Sequence, residues 1–366
     1  MPRLAKTYPH DNLPSGFPLF SPAKSKAYLL VANSIRVSDP WSFLNYTIRV
    51  SRHKTTGQIL TQSQQKYLLD LLEQAEYFYE TAQVAPIKSQ PLLYYYSFMN
   101  LVKIAINLDK YEGNTKKHVH GIAESISSAS KLPDVEIKIS QSSGVKLSNS
   151  ECLLKILGDP LPIYVAPRRN SQPTFTIKVI DLMRDCVGIN RTYSEIYKTH
   201  EHFYKISDVQ CFSERNKLHF SAKVNDCDDD IMNRLNAAGY SIAKENGEYL
   251  WTMDSYVKTT PSPTIAEWHT LSKKIRNQGL WSYTDGVSYK LYISPIAQKM
   301  SSPAIIYHAM FFFGSITRYH PDLFDSILSA KDYWLVSEFL RTQPQQFLYY
   351  MVSYINGAEV LFSKQV

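Results

Sequence analysis

With 366 residues, 44% hydrophobic and 20% charged, against only 13 Gly and 19 Pro, the chain has the composition of a folded globular protein, and disorder or a collagen-like fibre is excluded. The length exceeds that of a typical single domain, so two packed parts or one large α+β domain are expected. Forty Lys and Arg against 33 Asp and Glu leave a net charge of +7, which permits an acidic partner without requiring one.

The amino-terminal stretch MPRLAKTYPHDNLPSGFPLF lacks the apolar run of a signal peptide, and its prolines at 2, 9, 14 and 18 predict an extended arm. The first strong helical pattern follows Gln62. Ser63 is the expected N-cap, and Leu68, Leu71, Leu72, Ala75, Phe78 and Ala82 form one apolar stripe. Pro86 and Pro91 bracket a short connection. The stretch from Leu92 to Leu108 is then apolar on nearly every side, as a central helix must be. Two helices joined so briefly should pack as an antiparallel pair.

After Gly121 the pattern changes to strand. Val135 to Ser140 alternates, and Gly144 opens a second short run, so a strand pair with a polar turn is expected there. Phe175 to Val179 is a further strand candidate. Short helices are expected at Ile180 to Cys186 and from Tyr193 to Phe203. Asp228, Asp229 and Asp230 precede a helix that Gly239 closes, because carboxylates at a helix start accept its free N–H groups. Tyr240 to Ala243 and Tyr249 to Thr252 flank Asn246-Gly247, a strong hairpin signal. From Pro295 the chain returns to helix: Ile305 to Thr317, one starting at Pro321, Lys331 to Arg341, and a last one opened by Pro344. The expected architecture is α+β and predominantly α-helical. Residues 1–122 and 295–366 form a helical bundle, and residues 123–294 form a smaller β-containing middle lobe.

The most apolar window, Pro303 to Gly314, is shorter than the roughly 20 residues that a bilayer requires, so it reads as a core helix. Cys152, Cys186, Cys211 and Cys227 show no paired zinc-ligand spacing and read as reduced, buried thiols. A cytoplasmic protein without membrane association is expected.

Several blocks resemble one known family. These are YFYETAQVAPIKSQPLLYYYSFMNLVKIAI (Tyr77 to Ile106), HVHGI (His118 to Ile122), AIIYHAMFFFGSITRYHPDLF (Ala304 to Phe324) and WLVSEFL (Trp334 to Leu340). They are similar to the YaaC-like protein family, in the same order and over most of the chain. The resemblance implies a bacterial cytosolic, mostly helical protein akin to the HEPN group of helical bundles, which includes ribonucleases and components of phage-defence and toxin systems. It also draws notice to Arg318 and Tyr319, because the family pattern carries the same pair at that turn.

Asn100 and Lys103 stand on the most apolar helix, where a polar or charged group costs several kcal/mol unless it is satisfied. They read either as an anion- or nucleotide-binding pocket or as an internal network, with Lys103 snorkelling to an edge. In KKHVHGI, His118 and His120 are two residues apart, which on a strand puts both imidazoles on one side; with Lys116 and Lys117 they form the best candidate for phosphate contact. The plainer reading is a solvated helix-to-loop junction, and no metal is expected because a third ligand is missing. Arg318 and His320 are accounted for as cations in a last helical turn. The aspartates at 226 and 228–230 are better explained as a helix cap than as a calcium loop.

Catalytic HEPN proteins, to which the resemblance points, carry an Arg and a His separated by four to six residues on a helix. Here only Arg3 and His10 have that separation with the Arg first, in an arm interrupted by Pro9. A ribonuclease would have to bring Arg318 to His118 or His120 from distant segments, so these three are the catalytic candidates. The chain also lacks G-x-x-x-x-G-K-[ST], G-x-G-x-x-G, H-E-x-x-H and G-x-S-x-G, which excludes the standard ATPase, dehydrogenase and hydrolase constellations; no cofactor is expected. The reading that follows is a non-catalytic binding or effector subunit for a protein partner, a second copy of itself, RNA or DNA, in a phage-defence or stress-response system. A metal-independent ribonuclease and a small-nucleotide-binding protein are the alternatives.

Overall fold

The structure is a computed structural model, and it describes residues 35–51, 59–108, 119–126, 131–141, 147–157, 159, 173–214, 217–256, 265–285, 289–296, 300–356 and 360–362. The chain is α+β and predominantly helical, as expected, and divides into two units. One comprises residues 39–201 and 299–355, the other residues 1–38, 202–298 and 356–366.

The helical unit starts with α1 (Pro40–Val50), capped by Asp39, whose carboxylate accepts from the N–H groups of Trp41 and Ser42. Helix α2 (Gln62–Val84) begins at Thr61, not at Ser63. Thr61 and Gln64 form a reciprocal capping box, which satisfies two donors where a lone Ser63 would satisfy one. Helix α3 (Gln90–Leu108) is buried along most of its circumference and pairs with α2.

Helix α3 also packs on α9 (Ser302–Tyr319), so segments far apart in the sequence share one core. Phe98 of α3 stacks on Phe347 of α11 (Asp332–Asn356) with ring centroids 4.0 Å apart, and Phe313 of α9 lies 5.6 Å from Phe339. Truncating Phe98 to Ala would cost about 3–5 kcal/mol, the usual loss for a buried aromatic. Gly314 lets α3 and α9 approach closely, since a Cβ there would sit 3.2 Å from the Cβ of Tyr95 and 3.3 Å from the Pro91 carbonyl.

Helix α10 (Pro321–Leu328) starts at its proline as expected, but Pro344 lies inside α11 and opens no new helix. A proline removes one intrahelical bond, yet Phe339, Leu340, Phe347 and Leu348 on either side of it are all buried, and their packing holds the turn in helix.

A three-stranded sheet completes this unit: β2 (Ile122–Ser125), β3 (Glu136–Ser140) and β4 (Thr174–Lys178), all antiparallel, with β3 in the middle. The strand expected around Gly144 falls mostly outside the described residues; Leu147 and Ser148 lead instead into helix α4 (Asn149–Leu157). Helices α5 (Val179–Arg184) and α6 (Asn190–Tyr197) follow, the second ending six residues before Phe203, at a left-handed Lys198.

The other unit is built on a six-stranded antiparallel sheet in the order β7 (Ile242–Glu245), β8 (Glu248–Tyr256), β6 (Lys217–Val224), β5 (Tyr204–Glu214), β10 (Tyr289–Ile293), β9 (Trp281–Thr284). Leu218, Phe220, Ala222 and Val224 face a core shared with Leu235 of α7 (Asp229–Ala237) and Leu271 and Ile275 of α8 (Ile265–Asn277). His219, Ser221 and Lys223 alternate to the opposite face, where His219 meets Asp254 at 2.7 Å across the strands. Asp228 caps α7 as expected, and Asn246-Gly247 make the hairpin with φ of 52° and 83°. A parallel pair, β1 (Ile35–Val37) with β11 (Val360–Phe362), joins the two ends of the described chain.

Candidate functional site: a cation-bearing face on helix α3

Along α3 the partly buried residues are Gln90, Leu92, Leu93, Tyr96, Met99, Lys103 and Asn107, and from Leu93 onward they are spaced by three and four residues in a single line. Tyr96 and Lys103 are therefore two turns apart on one face, about 10 Å along the axis. Lys103 makes no ion pair among the described residues, and burial pulls its pKa below the ordinary lysine value.

His120 approaches this face from the segment that leads into β2. Its ring packs on Tyr95 and Phe311 at centroid distances of 5.7 and 6.4 Å, and its Nδ1 lies 2.5 Å from the Tyr95 hydroxyl. Burial, with Tyr307 alongside, raises the Tyr95 pKa well above its usual value, so Tyr95 keeps its proton, and its hydroxyl shares one hydrogen bond with Nδ1. The His120 pKa is lowered, first by desolvation and then by the charge of Lys103. The imidazole is neutral near pH 7, and its Nε2 has no hydrogen-bond partner among the described residues.

Arg318, in the last turn of α9, reaches the other end of the same face. Its Nη1 donates to the Tyr96 hydroxyl at 3.3 Å, and the guanidinium lies 5.0 Å over the ring of Tyr319. Beyond it, Glu124 of β2 accepts from Ser315 at 2.8 Å and stands 3.7 Å from His320. Lys103, His120 and Arg318 thus border one face, and among the described residues none of them is matched by a carboxylate.

Of the sequence candidates, His120 and Arg318 come to neighbouring residues of one helix, Tyr95 and Tyr96. Tyr319 is exposed and touches only Arg318 among them. Asn100 and Lys103 look toward different neighbours: Asn100 is buried and its Nδ2 faces Gln74 of α2 at 3.5 Å, whereas Lys103 is sensed by His120. Lys116, Lys117 and His118 lie outside the described residues. Asp228 caps α7 with Asp229 and Asp230 in its first turn, and among the described residues no group of His, Cys, Asp or Glu is arranged to hold a metal ion. Cys152 and Cys186 are buried free thiols as expected, whereas the free thiol of Cys227 is partly exposed.

Sequence reading passed over Tyr95, which lies among three consecutive tyrosines, and Ser150 and His308, which lie behind His120. The only available signal for His308 was an imidazole in an otherwise apolar run.

The described residues define an α+β protein whose helical unit carries a partly buried face bordered by two cations, Lys103 and Arg318, and a neutral imidazole, His120. The profile of the YaaC-like proteins matches residues 38–355, nearly the whole chain, and the protein belongs to this family. Neither the curated proteins nor the solved structures gave a match. No described helix is long and apolar enough to cross a membrane.

Proposed function

We propose that this YaaC-like protein is a binding subunit for a phosphate-bearing polymer, RNA in the first place, held on the face of α3 between Lys103, His120 and Arg318. The observation that carries the reading is the absence of any carboxylate partner for these groups among the described residues. Lys103 is a half-buried cation without a counter-charge, which is costly, and an anionic ligand removes that cost, while the exposed Arg318 adds a second cation to the same face. Tyr96 and Met99, between the cations, add soft and aromatic surface of the kind that bases stack on. A phage-defence or stress-response setting is part of this proposal and rests on the family's likeness to HEPN proteins. The test is fluorescence anisotropy with labelled single-stranded RNA at several salt concentrations. Binding that weakens as salt rises, and that weakens further on Lys103→Ala and Arg318→Ala, supports the reading; equal binding by parent and double variant refutes it.

One feature favours a second reading, metal-independent RNA cleavage. In the tautomer whose Nδ1–H donates to the Tyr95 hydroxyl, the open Nε2 of the neutral imidazole holds a lone pair and has the form of a general base. If the parent protein cuts labelled RNA in the presence of a chelator and His120→Ala does not, the enzyme reading replaces the binding one.

A further inference from the structure

Directly behind His120 lies a polar pair in the middle of the core. Ser150 and His308 are both wholly buried, and the Ser150 Oγ lies 2.7 Å from the Nε2 of His308. The other ring nitrogen, Nδ1, is 2.6 Å from the Ala304 carbonyl. A carbonyl only accepts, so Nδ1 carries the hydrogen, Nε2 is the acceptor, and the Ser150 hydroxyl donates to it. The imidazole of His308 is thereby held in one tautomer and one orientation.

Ser150 is also tied to His120 through its backbone. Its N–H donates to the His120 carbonyl at 3.2 Å, and the N–H of Asn149 donates to the Val119 carbonyl at 2.9 Å. These first N–H groups of α4, which have no partner inside the helix, are used to grip the segment that carries His120. Ser148 and Glu151 lock the same turn: the Ser148 N–H and hydroxyl meet the Glu151 carboxylate at 3.1 and 3.0 Å, and the Glu151 N–H returns to Ser148 Oγ at 3.2 Å. Gly121 leaves the segment no slack, since a Cβ there would come 2.2 Å from Ser148 Oγ.

We propose that Ser150 and His308 are positioning residues for His120, a buried strut running from the middle of α9 through the first turn of α4 to the edge of the anion-binding face. The proposal rests on the reading of that face as a binding site, but the strut itself needs no ligand. Its consequence is that the aim of the His120 imidazole is set by a side chain 188 positions away in the sequence.

The experiment has two arms on the same variants, Ser150→Ala, Ser150→Thr and His308→Gln, each checked for folding by circular dichroism. The first arm follows the His120 ring protons by NMR during a pH titration without ligand, where Tyr95 and Lys103 are the titratable groups that act on the imidazole. Ser150→Ala should move the His120 midpoint up toward that of a solvated histidine, and Ser150→Thr, which keeps the hydroxyl, should return it. The second arm measures affinity for a labelled single-stranded RNA decamer, which Ser150→Ala should weaken about fivefold or more, the lower end of typical coupling between sites. A His120 titration unchanged in both Ser150→Ala and His308→Gln overturns the strut. A shifted titration in a protein that does not bind the decamer at all keeps the strut and overturns the binding reading instead.

Discussion

The Tyr95 hydroxyl stands 2.5 Å from Nδ1 of His120, and this contact fixes which nitrogen of the imidazole remains open at the face of α3. Tyr95 is itself placed by the approach of α9 at Gly314 and by its edge-on contact with Phe311, at a centroid distance of 5.3 Å. The chemistry at the face is thus set by how two buried helices pack.

Replacing Lys103 with Met should raise the His120 pKa toward its ordinary value, because the nearby charge is one of the two causes that depress it. Desolvation, the larger cause, stays, so the recovery should be partial. Because a half-buried, unpaired cation is lost, thermal stability should hold or rise slightly. NMR titration and a melting curve check both parts.

His308 gives the protein a defined acid sensitivity. Burial lowers its pKa to about 4, below the usual 6.5 or so of the unfolded chain. The unfolded state therefore binds more protons between these values. Its contribution to stability is complete above about pH 6.5 and is lost as pH falls toward 4, up to about 3 kcal/mol. Urea denaturation of the parent and of His308→Gln at pH 7 and pH 5 should show the gap between the two narrowing at the lower pH.

Gly121 cannot be substituted cheaply. Its φ is +73°, and a Cβ would run into Ser148. Gly121→Ala should cost about 2 kcal/mol or more, combining left-handed strain with steric overlap. Chemical denaturation measures it, and a loss below half a kcal/mol would show that Ser148 moves aside freely.

On the β-sheet unit, Asn236 closes the free edge of β7. Its Oδ1 accepts from the N–H of Ile242 at 2.7 Å and its Nδ2 donates to the same residue's carbonyl at 2.9 Å, as a neighbouring strand would. Open edges invite strand pairing between molecules. Asn236→Ala should raise the oligomeric or aggregated fraction on size exclusion at high concentration relative to the parent protein.

Features set by neighbours in sequence were readable from it. Asn246-Gly247 demanded the left-handed turn it makes, Asp228 capped its helix, and Pro321 took a first-turn position, because each acts within four residues. The Thr61–Gln64 box was equally local and was masked by the more obvious Ser63. Pro344 departs from its local signal because the aromatic packing that holds it in α11 comes from α3 and α9. The site shows the same division: His120 and Arg318 stood out as polar residues in apolar surroundings, but Tyr95 lies 25 positions from His120, and Ser150 lies 158 from His308. Pairings at such separations depend on tertiary contact, which periodicity does not encode.

The most direct test of this account is the salt dependence of RNA binding by the parent protein, Lys103→Ala and Arg318→Ala. The slope of log affinity against log salt should become shallower by about 0.7 for each cation lost on a single strand, with folding intact. Identical slopes and affinities in all three proteins would contradict it and leave the face of α3 without a role in binding.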